Sequence, residues 1–168
     1  MTKKYELVLD DTISFWGWKL FRVRALISFG SVEVGDLGGY IQKEENLSHD
    51  DNAWVSGNAK VRGNAEVSGN AWVSGNAWVS GNAKVWGDAE VRGDAEVSEL
   101  GDIIVFKNHW SSGRHFTYTK SNKMWKVGCF YGTGQELIEK AYRDSEKSGN
   151  YYKAYVDFVE TLERLSKE

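Results

Sequence analysis

The chain of 168 residues has no proline and a single cysteine, Cys129. One cysteine excludes an intramolecular disulfide and fits a reducing compartment, so a cytoplasmic protein is expected. No apolar run is long enough to span a bilayer. Met1-Thr2-Lys3-Lys4 leads into no signal-type apolar core, so neither export nor membrane insertion is expected. A strong charge of either sign is also missing. The formal net charge is −3, which exerts no strong pull towards nucleic acid or anionic lipid. The imbalance is local: residues 1–99 carry ten Lys/Arg against fifteen Asp/Glu, and residues 100–168 carry eleven against nine. The three histidines, His49, His109 and His115, lack metal-ligand spacing, so no metal is expected.

Against these absences stand 18 glycines, eight tryptophans and a short repeat. Eight hexapeptides run from Asn52 to Glu99, each reading Asn/Asp-Ala-x-Val-x-Gly, with Glu99 in place of the last glycine. A fixed short period marks a solenoid. Ala and Val lie two apart and share one face of an extended segment, while the residue between them points away. That outward slot holds Trp54, Lys60, Glu66, Trp72, Trp78, Lys84, Glu90 and Glu96. Gly followed by Asn or Asp supplies the corner. Three short sides close one coil, and the next coil stacks at the ~4.8 Å strand spacing. An antiparallel meander would need longer strands. The predicted fold is mainly β: a short parallel β-helix with an N-terminal β cap (1–33), the hexapeptide helix (34–99) and a small C-terminal α/β unit (100–168). The hexads match the signature of left-handed β-helices, as in the bacterial acyltransferases of that fold, and the left hand is implied by that resemblance alone.

Residues eighteen apart then stack. Trp54, Trp72 and Glu90 form one outward column, Lys60, Trp78 and Glu96 a second, and Glu66 with Lys84 the third; Asn52, Asn70 and Asp88 share a corner. So short a helix leaves strand edges at both ends that the flanks must cover. In the first flank, Tyr5, Leu7 and Leu9 alternate as a strand, Asp10-Asp11-Thr12 reads as a turn, and a hairpin is expected around Trp16-Gly17-Trp18. Arg22 and Arg24 share a face that is either solvated or anion-binding. Val34, Leu37 and Ile41 resemble a distorted opening coil, and the winding stays irregular through Asp51, because His49 falls in a Val-like slot. In the second flank, Asp102 to Phe106 reads as a strand, and His115–Lys120 with Met124–Tyr131 as a hairpin. Thr133 and Glu136 form a capping box opening a helix. Ser148-Gly149-Asn150 breaks it, and a second helix follows with Tyr152, Tyr155, Val156, Val159 and Leu162 at helical spacing.

The sequence offers two candidate sites. Residues 107–126 contain five cations and no acid, interleaved with aromatics. Trp110, Arg114, Thr117, Thr119, Lys120, Trp125 and Lys126 form a candidate nucleotide-binding set, since cations hold phosphate and aromatic faces stack bases. Alternatively, the aromatics pack beneath the helices. Trp54, Trp72, Trp78 and Trp86 form a candidate interface, for a homo-oligomer (dimer or trimer) along the coil faces or for a foreign protein; the alternative is that the caps cover them. Gly132-Thr133-Gly134 at a helix start is a weaker anion candidate. No catalytic residue is indicated: no histidine lies in the hexads, and Cys129 sits in an apolar stretch as an inert thiol.

Three stretches resemble known proteins: Arg22-Val23-Arg24-Ala25-Leu26, Gly35-Asp36-Leu37-Gly38-Gly39-Tyr40-Ile41 with Glu44-Glu45-Asn46-Leu47-Ser48, and Trp125–Gly134 with Glu136-Leu137-Ile138. Together with the hexads they are similar to hexapeptide-repeat proteins of phages, prophages and gut bacteria, often described as polymer-forming. The resemblance implies a non-catalytic binding protein without a cofactor, acting in the host cytoplasm. It would counter a host defence by occluding a defence protein or sequestering a nucleotide second messenger. The alternatives are a self-associating structural protein and an acyltransferase relative.

Overall fold

The computed structural model describes residues 3–167. Eight two-residue strands fill the hexads: β4 (Trp54–Val55), β5 (Lys60–Val61), β6 (Glu66–Val67), β7 (Trp72–Val73), β8 (Trp78–Val79), β9 (Lys84–Val85), β10 (Glu90–Val91) and β11 (Glu96–Val97). They are preceded by β1 (Tyr5–Phe15), β2 (Trp18–Ala25) and β3 (Leu37–Ile41). Pairing is parallel and eighteen residues apart, with Trp54 beside Trp72, Lys60 beside Trp78 and Glu66 beside Lys84. Every hexad Ala and Val is buried to within 1 % of its surface. The result is a three-sided parallel β-helix of about three turns whose interior is Ala and Val, as the repeat predicts. The Gly corners have positive φ, from 60° to 69°. At Gly69 an added Cβ would stand 2.9 Å from the Gly87 nitrogen in the coil stacked against it, so the corner needs glycine for both angle and space.

The opening coil departs from the frame. Val34 and Leu37 are exposed rather than inward. Ile41 pairs with Val61 and Leu47 bridges to Val67, both twenty residues on, so two extra residues lie between Leu47 and Val55. Leu47, not His49, fills the inward slot. His49 instead stacks on Tyr5 at 4.1 Å between ring centres.

A parallel helix has polar ends, and each cap answers its own end. Backbone N–H groups donate towards the C-terminal coils, as from Trp54 to Ala71 and from Ser56 to Val73. The N-terminal end therefore presents carbonyls and the C-terminal end N–H groups. At the first end the caps are donors. Asn46 Nδ2 donates to the carbonyls of Gly63 and Ala65 at 3.1 and 2.9 Å, and Lys4 Nζ donates to Ala53 at 2.6 Å and to Asp50 and Asp51 at 3.4 Å. At the other end they are acceptors. Thr117 Oγ1 takes the Glu90 N–H at 3.0 Å, Ser121 Oγ the Glu96 N–H at 2.7 Å, and Asp102 Oδ2 the Ser98 N–H at 2.9 Å. Unmade bonds at buried ends would be costly, which explains these residue types at these places.

Lys4 is 1 % exposed, and burial pushes its ammonium pKa down to about 8, with Asp51 and Asp50 opposing. Between pH 8 and the usual value of 10.5 the unfolded chain holds a proton that the folded chain has released. The Lys4 contribution to stability therefore rises with pH across that window. Urea unfolding at pH 7.5 and 9.5 should show native protein gaining on Lys4→Met at the higher pH; a difference that is flat or reversed contradicts this.

The N-terminal hairpin forms around Trp16 and Gly17, both at positive φ. β1 is continuous through Asp10-Asp11-Thr12, which is a bulge between Val8 and Thr12 rather than a turn. β2 pairs with β3 and so joins the first side of the helix in a six-stranded sheet, β1-β2-β3-β5-β8-β11. Both hairpin arginines are paired: Arg22 Nε lies 3.0 Å from Asp11 Oδ2, and Arg24 Nε donates to Glu6 at 2.8 Å.

The C-terminal unit is the four-stranded sheet β12 (Ile103–Lys107), β13 (His115–Thr119), β14 (Met124–Val127) and β15 (Phe130–Thr133), followed by α1 (Gly134–Asp144) and α2 (Glu146–Leu165). Residue alternation divides its faces. Phe116, Tyr118 and Trp125 meet the helices, while Thr117 and Ser121 meet the last coil. The predicted second strand is two, turning at Gly128-Cys129 with Gly128 at φ 55°. Cys129 is therefore exposed at a hairpin tip and not a core thiol. The helix break falls at Ser145, which caps α2 by accepting the Ser148 N–H at 3.0 Å. Gly149 lies inside α2, where the absence of a side chain admits the Tyr142 ring.

Candidate functional site

The candidate nucleotide set of residues 107–126 does not converge. Trp125 is 1 % exposed in the C-terminal core, 4.9 Å from Tyr118 between ring centres. Trp110 stacks on Tyr151 at 4.5 Å. Thr117 is engaged with the Glu90 N–H, and Thr119 Oγ1 donates to Asn122 Oδ1 at 2.5 Å. Lys120 is exposed. Arg114 and the largely buried Lys126 line two adjoining depressions. The packing alternative therefore describes the aromatics, because strand alternation turns them to the helices.

The Gly132-Thr133-Gly134 turn is engaged by its own capping box. Glu136 Oε1 accepts the Thr133 N–H at 3.0 Å, and the Glu136 N–H donates to Thr133 Oγ1 at 3.2 Å. This capping box takes up the Thr133 and Glu136 N–H donors and holds the Glu136 carboxyl below its usual range. The neighbouring depression of about 440 Å³ is lined by Glu160 and Glu163, and its Lys123 is already paired with Glu163 at 3.1 Å. That lining disfavours phosphate.

The four outward tryptophans also separate. Trp54 is 2 % exposed, roofed by Phe29 at 5.3 Å, and so is cap packing and not an interface. Trp78 is half-buried under the hairpin tip, 4.5 Å from Phe15. Trp86 is 53 % exposed, on the side of the helix that carries Lys84. Trp72 is half-buried, with Nε1 donating to Ser56 Oγ at 3.2 Å, and its ring lines a groove.

That groove runs between the β4-β7-β10 side of the helix and the C-terminal sheet. It consists of two adjoining depressions of about 430 and 370 Å³ that share Glu90. Trp72, Ser74, Arg92 and Lys126 line the first; Asn70, Asp88, Arg114 and His115 line the second. Several of these groups are held in place. Lys126 Nζ is 3.8 Å from Glu90 Oε2 and also donates to the Gly128 carbonyl. His115 Nδ1 is 2.9 Å from Asp88 Oδ2, and Asn70 Nδ2 donates to Asp88 Oδ1 at 3.4 Å. The Arg92 guanidinium lies 5.5 Å from the centre of the Tyr131 ring. Among the described residues, neither Arg92 nor Arg114 makes an ion pair. The groove thus offers one aromatic face, two unpaired guanidiniums, an ammonium and two carboxylates.

Sequence reasoning placed Trp72, Arg114 and Lys126 in two different sites and overlooked Ser74, Asp88, Glu90, Arg92 and His115 as partners. Applying the eighteen-residue stack to the fifth hexad position would have placed Arg92 over Ser74 and Ser56, beside Trp72. The approach of the C-terminal sheet has no such periodic signal. Among the described residues no cluster of three or more His, Cys, Asp or Glu is arranged for a metal ion, and no helix is long and apolar enough to cross a membrane. No protein-family model matches the chain, and no curated protein matches it.

Proposed function

We propose that this chain is a non-catalytic binding protein of phage type, acting in the host cytoplasm against a host defence by sequestering a nucleotide signal in the groove. The observation that supports this reading is the meeting of Trp72 with Arg92 and Lys126 around one depression, with Arg114 on the depression that adjoins it at Glu90. A base stacks on the indole, phosphate oxygens take the guanidinium and ammonium donors, and Glu90 and Asp88 accept from sugar hydroxyls or a base amine. The phage and counter-defence context comes from the resemblance of the hexads and both flanks to phage hexapeptide proteins.

The test is thermal unfolding against a panel of mono-, di- and cyclic nucleotides. A ligand at about 100 times its Kd adds ~2.7 kcal/mol, which for a chain of this size is a rise of roughly 5–10 °C. Trp72→Ala should weaken binding roughly 5- to 150-fold, the range of about 1–3 kcal/mol for base stacking. Arg114→Ala should weaken it too, and Trp86→Ala, on another side of the helix, should not. A panel with no shift, or a shift that survives Trp72→Ala and Arg114→Ala, rejects the groove.

Occlusion of a host protein is a second reading, supported by the hairpin tip. Trp16 is 75 % and Trp18 40 % exposed. The Arg62 guanidinium stands 5.3 Å from the Trp18 ring centre, and the Lys60 ammonium 5.2 Å from that of Phe15. Large exposed aromatics rimmed by charge mark protein contact surfaces. Capture of one host protein by the native chain, lost in Trp16→Ala but kept in Trp72→Ala, would favour this reading over nucleotide capture.

A further inference from the structure

The two edges of the fold's longer strands are treated differently. β1, at the outer edge of the six-stranded sheet, carries Glu6, Asp10 and Asp11 and is bulged between Val8 and Thr12. Charges and bulges are how a sheet edge is kept from pairing with another chain. β12, at the edge of the C-terminal sheet, has neither a bulge nor an internal charge: it reads Ile-Ile-Val-Phe-Lys and pairs with β13 in unbroken register from Ile103 to Lys107. Lys107 stands at its end alone.

The orientation of its backbone follows from the bonds flanking it. Asp102 O accepts from Lys120 N, and Asn108 N donates to Arg114 O, each at 2.9 Å. In an antiparallel pair such bonds alternate along the strand. Ile104 and Phe106 therefore turn their main-chain groups to β13, whereas Ile103, Val105 and Lys107 turn theirs outward. This set has its centre at Val105. A two-fold axis through Val105 sets Val105 against its own copy and Ile103 against Lys107, and all the outward donors and acceptors find partners.

Side chains beside the edge fit the same axis. On α2, Tyr151, Tyr155, Phe158, Leu162 and Leu165 are spaced four, three, four and three residues apart, a seam distinct from the buried stripe of Tyr152, Val156 and Val159. Phe158 is 50 % and Leu165 56 % exposed, and Val105 is 37 % exposed. Tyr155 and Phe158 lie 5.0 and 6.3 Å from the Phe106 ring, while Leu162 and Ile104 line one depression. α2 thus runs opposite to β12 with Phe158 abreast of its middle, where the axis passes.

We propose that two copies of this chain associate through β12, forming an eight-stranded sheet across a two-fold axis at Val105, with Phe158 of each α2 meeting its counterpart. The occupant is a second copy because the edge is complementary to itself in register, length and apolar flank, as a two-fold contact requires. This surface is distinct from the tryptophan-lined coil faces and from the groove, and does not depend on the proposed ligand.

Light scattering on the full chain from low to high micromolar concentration should give about 38 kDa, twice the 19.0 kDa of one copy. Phe158→Glu, at an exposed helix position, should restore the monomer mass with far-ultraviolet circular dichroism unchanged. Val105→Pro removes an outward N–H and should do the same. Amide exchange supplies a readout that needs no substitution: Ile103, Val105 and Lys107 should be protected at high concentration and exchange faster on dilution, while Ile104 and Phe106 stay protected throughout. A monomer at every concentration, a trimer, or a dimer that persists in Phe158→Glu with Val105 exchanging freely overturns the proposal.

Discussion

Gly38→Ala is expected to destabilise the protein by about 3 kcal/mol, the upper end of the usual cost of overpacking. Gly38 is buried where the N-terminal cap lies against the first regular coil. A Cβ there would stand 2.5 Å from the Val55 carbonyl oxygen, 2.6 Å from a Val23 methyl and 2.7 Å from the Trp54 ring. The Gly38 carbonyl also accepts from Arg22 Nη1 at 2.8 Å, so the strand cannot retreat without losing that bond. Its φ is not positive, so the requirement is space and not backbone conformation. Gly35 is the control: its φ is 90° and nothing stands within 4 Å of an added Cβ. Gly35→Ala should cost only about 1 kcal/mol, from strain. Urea midpoints for the two variants decide the matter. A Gly38→Ala loss no greater than that of Gly35→Ala would show that the cap is not seated as described.

The second large effect is Trp125→Ala, at about 3–5 kcal/mol for removing a buried indole. Trp125 is 1 % exposed and its ring centre lies 4.9, 6.1 and 6.2 Å from those of Tyr118, Phe106 and Phe116. The loss should appear as a lower urea midpoint and a weaker near-ultraviolet circular dichroism signal. It should spread to the last coil, because Thr117 and Ser121 on the same sheet accept the N–H groups of Glu90 and Glu96. A ligand-binding role for this tryptophan predicts the opposite pattern: stability kept, binding lost. Thermal unfolding without ligand separates the two.

The hexads were legible because each one carries its own instructions. Ala and Val two apart define an inner face, Gly and Asn define a corner, and the fixed period then sets which residues stack, down to Trp54 beside Trp72 and Glu66 beside Lys84. The start of α1 and the first two strands of the C-terminal unit could also be read locally, because the Thr133–Glu136 cap needs only neighbouring residues. Ser148-Gly149-Asn150 misled because helix propensity is a weak prior: packing of Tyr142 against Gly149 outweighs it, and the break moves to Ser145, whose hydroxyl can cap. Cys129 was misplaced because Val127 and Phe130 flank a two-residue turn that resembles a continuous apolar strand.

By itself, then, the sequence determined the coil: its period, its interior and the columns on its outside. Those are set by contacts at a fixed spacing along the chain, so each hexad specifies the next. Tertiary structure alone decided which columns remain open. The Phe29 roof over Trp54, the Phe15 contact on Trp78, the Lys4 plug and the C-terminal sheet that turns the Trp72 side into a groove are long-range and occur once each. They arise because a parallel helix ends in carbonyls on one side and N–H groups on the other, and the flanks must fold back to satisfy both.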